Sequence, residues 1–340
     1  MKNVYTLILL SIVLFSCKKE IEPIIETYVV PPFPIEKTEN WMQDLLKEYP
    51  SKIITLKDIC IPRAHDAGMY EVNNCFAGNS CNTQTQDLIM KNMLESGIRT
   101  FDVRPTFKDS EFWTYHKSQC GGFGCDGVRL GALLDDTKNY LETHNELVIL
   151  EFSHFCDISY DNVDFLSFVD SRLGDLIYKE PVGETAEILD RPLSEMLSES
   201  NVSGKVLLKM NQVTENKSLG YYDDSSIPFA GTYANKFIFS EMKTDQLAKF
   251  STYDHSDNSL FRISWTLTMN TELAVNCFED EAVSIQELTV EATNELANTV
   301  DEWISGGTIA KGKIPNILSV DFANTSVTEQ CIRLSKLNIE

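Results

Sequence analysis

What this chain can fold into is constrained most by an alternation of short apolar, strand-like runs and helix-like segments that repeats from Trp41 to the C-terminus. The clearest run is Leu147-Val148-Ile149-Leu150-Glu151-Phe152, almost continuously apolar. A strand reads this way when both of its faces are covered. Similar runs occupy Ile53–Ile61, Ile98–Val103, Glu111–His116, Lys205–Met210, Lys236–Phe239, Phe261–Leu267 and Asn316–Phe322. Between them the spacing predicts helices over Asp87–Ser96, stopped by Gly97, and over Val128–His144, Phe165–Ile177, Ile285–Ile304 and Val327–Leu337. The Val128–His144 helix turns Leu130, Leu133, Leu134 and Leu141 inward. Eight strands with helices after several of them suggest one irregular (β/α)8 barrel of the TIM type. A doubly wound open sheet is the rival. It would leave strands to spare, and the chain has no glycine-rich nucleotide loop.

The first 40 residues stand apart from this pattern. Met1-Lys2-Asn3 is a short basic start, and the apolar run Leu7–Phe15 is too short to span a membrane comfortably. Leu14-Phe15-Ser16-Cys17 reads as a bacterial lipobox, with residues 1–16 as signal peptide and a lipid on Cys17. A plain secretion signal is the alternative. Residues 17–40 then form a linker with Pro23, Pro31, Pro32 and Pro34, a tether for the domain at 41–340. Lys18-Lys19-Glu20 also resembles surface-export signals of some Gram-negative lipoproteins. The expected location is the cell envelope, outer membrane or cell surface. Trp41, Leu45, Leu46 and Tyr49 share one helical face, expected to pack on the domain rather than to insert into a bilayer.

With Cys17 lipidated, eight cysteines remain: Cys60, Cys75, Cys81, Cys120, Cys125, Cys156, Cys277 and Cys331. An even number in an exported chain points to disulfides, and the short loops favour Cys75–Cys81 and Cys120–Cys125. A zinc site is disfavoured because no C-x-x-C pair exists. The net charge of −22 argues against nucleic acid and against simple electrostatic docking on anionic membranes.

Polar, titratable groups gather just past the strands. His65-Asp66 follows the first, Asp102 and Arg104 the second, and His116 ends the third. His154 sits past the fourth and Asp321 lies at the last. In a parallel barrel these strand ends line one mouth. Two imidazoles and a guanidinium around one cavity suit phosphodiester cleavage. That reaction needs a base on the attacking oxygen, an acid on the leaving oxygen and positive charge between them. Each imidazole needs a carboxylate partner, and Asp66 and Asp321 are available. Asp102 and Arg104, two apart, face the same way, so the aspartate can aim the guanidinium. A structural pair at the rim is the equal alternative.

These segments resemble the catalytic X domain of bacterial phosphatidylinositol-specific phospholipase C. The family's Trp-Met helix and Ile-Pro-Gly-Thr-His-Asp-Ser-Gly are matched by Trp41-Met42 and by Ile61-Pro62-Arg63-Ala64-His65-Asp66-Ala67-Gly68. Its Gly-Ile-Arg-x-x-Asp-x-Arg is matched by Gly97-Ile98-Arg99-Thr100-Phe101-Asp102-Val103-Arg104. Its Tyr-His-Gly appears as Tyr115-His116-Lys117, and its terminal Asp-aromatic step as Asp321-Phe322. The match runs from about residue 41 to 155 and over 315–325.

The resemblance implies a metal-independent phospholipase C. His65 would be general base, paired with Asp321, and His116 general acid, assisted by Asp66. Arg104, held by Asp102, would neutralise a phosphate oxygen. Phosphatidylinositol or its glycosylated form would yield diacylglycerol and inositol 1,2-cyclic phosphate. Calcium-dependent members carry Glu-x-Asp where this chain has Asp102-x-Arg104, so no cofactor and no calcium requirement is expected. The partner is then a phosphatidylinositol-type lipid at a membrane surface, with no obligate protein partner.

The departures concern the headgroup. Arg63-Ala64 replaces Gly-Thr, and Arg63 reads as an exposed loop residue more readily than as a phosphate contact. Lys117 follows the second histidine, and Cys120-Gly121-Gly122-Phe123-Gly124-Cys125 reads as a disulfide-pinned loop at the mouth. Met210 stands where an arginine is expected, Ser153-His154 replaces basic residues, and Glu151 is out of step with the family's glutamate. Lys209 and His154, with Tyr253 and Asp254, are candidates for a rebuilt polyol site. Two other functions stay open: a phosphodiesterase of the same barrel with a different headgroup, and a non-catalytic lipid- or glycan-binding surface lipoprotein.

Overall fold

The structure, a computed structural model, describes residues 38–158, 163–181, 187–197, 203–279 and 282–340. The leader, Cys17 and the linker up to residue 37 lie outside the described residues. Twelve strands follow in chain order: β1 (Ile61–Ala64), β2 (Asn73–Phe76), β3 (Thr100–Val103), β4 (Pro105–Lys108), β5 (Glu111–Lys117) and β6 (Gly124–Arg129). The second half contributes β7 (Leu147–Phe152), β8 (Lys205–Met210), β9 (Tyr221–Tyr222), β10 (Phe229–Ala230), β11 (Leu260–Trp265) and β12 (Ile317–Val320). Eight of them form one parallel sheet in the order β10-β11-β12-β1-β3-β7-β8-β9. With helices packed against it, this curled sheet is an irregular parallel barrel. Among the described residues β9 and β10, two residues each, are not paired with each other, which leaves a seam in the wall.

The registers stack the inward positions into layers. Ile61, Ile149, Leu207, Leu260 and Ile317 belong to one buried apolar cluster in the lower barrel, with Trp41, Met42 and Leu45 of the helix Trp41–Glu48. Two residues further along the same strands come Arg63, Glu151, Lys209, Arg262 and Ser319. Side chains two apart share a face, so an apolar layer carries a polar one above it. The first helix is held from across the barrel by a buried carboxylate: Glu146 accepts from the backbone N–H of Met42 (3.3 Å) and Gln43 (2.9 Å). Those N–H groups lie in the first turn, where a helix has no partner of its own. Trp41 is buried and donates Nε1–H to the Gly97 carbonyl (2.9 Å), so this face packs on the domain as expected.

Several sequence expectations need correction. The first strand is Ile61–Ala64, not Ile53–Ile61; Leu56–Asp58 instead forms a 3-10 turn capped by Thr55. Glu111–His116 is a strand, but it belongs to a second, antiparallel sheet, β2-β6-β5-β4. Lys236–Phe239 is no strand: a helix begins at Phe239, and the short β9 and β10 supply the missing barrel positions. Leu130, Leu133, Leu134 and Leu141 are buried as expected, although the helix starts at Leu130, after β6. The cysteines pair at long range, as Cys75–Cys125, Cys81–Cys277 and Cys120–Cys156. Neither local loop closes on itself, because Cys75 and Cys125 sit on the paired strands β2 and β6. Cys60 and Cys331 are free and buried, with their sulfurs 3.5 Å apart.

Candidate active site

Strand ends deliver the site. After β1 the His65 N–H still donates to the Val320 carbonyl (3.0 Å), so His65 leaves the barrel beside β12, where Asp321 follows. Asp66, His154 and Phe322, each just past a barrel strand, have positive φ (43°, 53° and 50°). Left-handed backbone at non-glycine residues is uncommon and must be held in place by its surroundings. Here the hold is visible. Gln86 Nε2 donates to the His65 carbonyl (2.7 Å), Gln86 Oε1 accepts from the Ala323 N–H (2.9 Å), and Thr85 Oγ1 donates to the Asp66 carbonyl (3.1 Å). Thr85 and Gln86 were not legible as site residues, because nothing in a polar loop sequence marks which amide reaches across a mouth.

The structure brings together all six residues named from the sequence. His65 Nδ1 lies 2.8 Å from Asp321 Oδ1. Asp66 Oδ2 lies between the two histidines, 3.6 Å from His65 Nε2 and 3.7 Å from His116 Nδ1. His116 Nδ1 is 2.9 Å from the Thr83 carbonyl, which can only accept, so that nitrogen carries a proton. Arg104 sets its Nε against Asp66 Oδ1 (2.5 Å), and one terminal nitrogen against Asp102 Oδ2 (3.3 Å) and His65 Nε2 (3.0 Å). Ser153 donates to Asp102 Oδ1 (3.1 Å).

The charges explain the titration behaviour. Burial disfavours the charged form of His65, but Asp66 and the hydrogen-bonded Asp321 outweigh it and raise the imidazole to about 10. The Arg104 contact points the other way, because a guanidinium only donates and needs Nε2 unprotonated. The contact describes the deprotonated ring, the form that can act as a base. The raised value means that this form fills as the pH rises. Burial likewise opposes ionisation of Asp102, yet Arg63 and Arg104 hold it well below the usual carboxylate range. Burial works against Arg104 too, and Asp66 with Asp102 raises it. One ligand nitrogen or oxygen from each of His65, Asp66 and Asp102 lies within 4.8 Å of the others, a donor set that could suit a divalent cation. Arg104 contacts all three groups.

Beside this centre lies a cavity of about 390 Å³ lined by Arg63, Glu151, Lys209, Tyr233, Arg262 and others. Here the sequence reading needs its largest corrections. Arg63 is a fully buried strand residue, not an exposed loop residue. Its guanidinium binds Glu151 Oε2 (3.0 Å from Nε), Ser319 Oγ (2.7 Å) and Asp102 (3.2 Å). Glu151 is the hub: burial raises its carboxyl, but Arg63 and Lys209 (3.1 Å) lower it overall. Lys209 also contacts Asp224 and lies over the Phe229 ring. His154 lines the same cavity and is held below the usual imidazole range, by burial first and then by Arg104. Tyr233, missed from the sequence, sets its ring 5.2 Å from that of His65, with Arg262 on it. Tyr253 and Asp254 do not join the cavity. Tyr253 bonds to Ser259, just before β11, and lines a small cleft with Lys57 and Asn316 at the opposite, N-terminal ends of the strands.

An irregular parallel barrel with two histidines, an arginine and three aspartates at one mouth defines the class. The particular likeness is to bacterial phosphatidylinositol-specific phospholipases C, which are the structural neighbours of this chain. The enzyme from Listeria monocytogenes superposes with a TM-score of 0.61 at 18% identity, over 88% of this chain and 98% of that one. A Staphylococcus aureus phosphatidylinositol-specific phospholipase C carrying a pentafluoro-Phe gives 0.61 at 20% identity, over 88% and 97%. Another structure of the S. aureus enzyme, described for modulation of its membrane binding, gives 0.60 at 19%, over 88% and 97%. No protein-family model matches the chain, and no curated protein matches it by sequence.

Proposed function

We propose that the chain is a metal-independent phospholipase C that cleaves phosphatidylinositol, free or glycosylated, to diacylglycerol and inositol 1,2-cyclic phosphate. The observation that carries this reading is the joint contact of Arg104 with His65, Asp66 and Asp102, with His116 on the far side of Asp66. His65 Nε2 takes the proton of the inositol 2-hydroxyl, whose oxygen forms the new bond to phosphorus. Asp321 fixes the tautomer by accepting from Nδ1 and stabilises the imidazolium that results. The bond from phosphorus to the diacylglycerol oxygen breaks, and His116, oriented by Thr83 and Asp66, gives that oxygen its proton. Entering and leaving oxygens are opposed in an in-line displacement, which fits an imidazole on each side of the phosphate. Arg104 supplies the charge on the non-bridging oxygens.

The neighbouring cavity suits an uncharged polyol. Its buried cations already have anionic partners, Arg63 with Glu151 and Asp102, and Lys209 with Glu151 and Asp224. Tyr233 offers a ring face and Arg262 an open donor edge. The same carboxylates support a second reading, a different polyol headgroup on the same barrel. We also take the chain to be an exported lipoprotein tethered through Cys17. The leader pattern and three disulfides support this, and incorporation of labelled fatty acid lost in Cys17→Ser is its test.

The deciding experiment supplies vesicles of labelled phosphatidylinositol with chelator present, beside an active phospholipase C and a panel of other phospholipids. Cyclic inositol phosphate is expected, and His65→Ala should abolish it. Release from another phospholipid alone would select the second reading. No product from any lipid, while the control enzyme works, would leave a binding protein.

A further inference from the structure

Arg63 lies in the polar layer of the barrel with only 1% of its surface exposed. All three of its guanidinium nitrogens are engaged. Nε donates to Glu151 Oε2 (3.0 Å) and one terminal nitrogen to Ser319 Oγ (2.7 Å). The other terminal nitrogen meets Glu151 Oε2 (2.5 Å) and Asp102 Oδ2 (3.2 Å). Three strands supply these partners, β3, β7 and β12, around the β1 that carries Arg63. Asp102 Oδ2 is the shared atom. It lies 3.2 Å from Arg63 and 3.3 Å from Arg104, while Ser153 donates to the other oxygen (3.1 Å).

The sharing matters because Arg104 by itself is over-neutralised. Its Nε meets Asp66 Oδ1 (2.5 Å) and a terminal nitrogen meets Asp102, so two carboxylates face one guanidinium. Asp66 is 2% exposed and Asp102 1%, so water does little to screen them. Two unscreened anions would cancel the cation and leave a negative surface where a phosphate has to sit. Arg63 changes the balance by bringing a second guanidinium to Asp102. Glu151 is divided in turn between Arg63 and Lys209 (3.1 Å). Cations and carboxylates therefore alternate from Lys209 through Glu151, Arg63 and Asp102 to Arg104.

We infer that Arg63 is a positioning residue for the reaction: by sharing Asp102 it leaves Arg104 with uncancelled positive charge and keeps it aimed at the phosphate. The inference rests on the phospholipase reading, in which Arg104 meets the non-bridging oxygens. Arg63 does not itself meet them; it acts through Asp102. The role calls for arginine. Three nitrogens reach partners on three strands, whereas the single ammonium of a lysine would have to choose between Glu151 and Asp102.

The test uses the full chain, with Arg63→Met and Arg63→Lys each made alongside Glu151→Gln. Neutralising both partners together avoids an unpaired buried carboxylate, and Lys209 keeps Asp224, so the double variants should melt close to Glu151→Gln alone. On phosphatidylinositol vesicles, Arg63→Met with Glu151→Gln should lower kcat about 10²-fold or more below Glu151→Gln, the scale of a lost electrostatic contact in the transition state. KM should move less, by about three-fold at most, because the loss falls on the transition state. With Glu151 neutral a lysine is free to pair with Asp102, so Arg63→Lys with Glu151→Gln should recover about ten-fold or more of that loss. It should also outpace Arg63→Lys alone, a comparison that stands even if the methionine variant does not fold. A second readout needs no turnover. Binding of myo-inositol 1-phosphate, followed by phosphorus NMR, should weaken about ten-fold in the methionine variant and return in the lysine one. Equal kcat for lysine and methionine at equal melting temperature, a lysine single variant as fast as the double, or a wild type that binds no monoester would each overturn the inference. Monoester binding that depends on Arg63, with no lipid cleaved by the wild type, would instead remove the phospholipase reading and leave this role of Arg63 standing.

Discussion

A guanidinium has five N–H donors and no lone pair, so the residues that Arg104 touches must all present acceptors. Asp66, Asp102 and Nε2 of His65 do so, and the contact with Nε2 belongs to the deprotonated ring, the form that can take a proton. A fixed cation at the focus of this donor set takes the position a metal ion would want. Arg104→Ala should therefore lower kcat by about 10³-fold or more, the scale of an arginine stabilising phosphoryl transfer. Wild-type turnover should be unchanged by chelator; a chelator-sensitive wild type measured on phosphatidylinositol vesicles would contradict this. The pH profile follows from the same contacts. Asp66 and Asp321 raise the imidazole of His65, and a base works only when deprotonated, so kcat/KM should climb with pH through the neutral range and beyond. Asp321→Asn removes one anion, which lowers the ring's affinity for its proton. The rising limb should move to lower pH while kcat falls by about 10²-fold or more. A limb that stays in place would show that Asp321 does not control the base. These six residues were legible because each follows a strand-like run. Arg63 and Glu151 were not, since a charge inside an apolar run reads as an exposed residue or a misfit. Their signal was parity: Arg63, Glu151, Lys209 and Arg262 all lie two residues beyond an inward apolar residue, a pattern that appears only once the strands are aligned.

Elements decide how His116 arrives. It rides on the antiparallel sheet β2-β6-β5-β4, built from segments on either side of β3, and not on a barrel strand. The strand was readable from Glu111–His116, but its sheet was not, because a period of two looks alike in a barrel and in a hairpin. The local closeness is extreme at one residue. Gly124 has φ +135°, and a Cβ there would meet the His116 carbonyl oxygen at 2.1 Å and the Lys117 Cα at 2.7 Å. Both the backbone angle and the space admit only glycine. Gly124→Ala should thus push β6 off β5 at His116, the proposed general acid. We expect kcat to fall about ten-fold or more, by a shift of an ångström in a positioned group. Urea unfolding should show a modest loss, on the order of 1–3 kcal/mol. Unchanged turnover would mean that His116 does not depend on this pairing. Cysteine pairing was hidden for the same reason: the contact of β2 with β6 joins Cys75 to Cys125 across the sheet, and sequence distance says nothing of sheet neighbours. The helices were easier, since Ile285–Ser305 and Thr325–Ile339 each begin at a side-chain cap, Ser284 with Glu287 and Asn324, visible in sequence. The opposite failure, a strand expected at Lys236–Phe239, came from a short apolar run that is only the entrance to the helix Phe239–Thr252.

For the whole molecule, the barrel interior is divided between cohesion and chemistry. The lower half is an apolar plug; the upper half is a charged layer whose partners must stay in place for the site to work. Among the described residues the sheet has an unpaired seam between β9 and β10 and so lacks the closure that usually fixes such a wall, and other restraints matter more. The longest is Cys81–Cys277, which joins residues 196 apart and so links the segment after β1 to the segment after β11. Closing a loop of that length in the unfolded chain removes entropy worth at most about 5 kcal/mol on the chain-entropy view. Cys81→Ser with Cys277→Ser should therefore cost up to about that much, read as a lower urea midpoint, with a larger denaturant slope because the unfolded chain expands. Soluble-substrate turnover should change little, since the proposed catalytic groups lie on or just past β1, β3, β5 and β12. Thiol titration supplies the control. Cys60 and Cys331 are buried free thiols, and burial raises the Cys331 thiol well above its usual range, so neither should react in the native state. With Cys17→Ser in the background, both should titrate in denaturant, two before and two after the double substitution. Four reactive thiols before it would mean that one bridge does not form, and an unmoved midpoint in the variant would identify Cys81–Cys277 as that bridge.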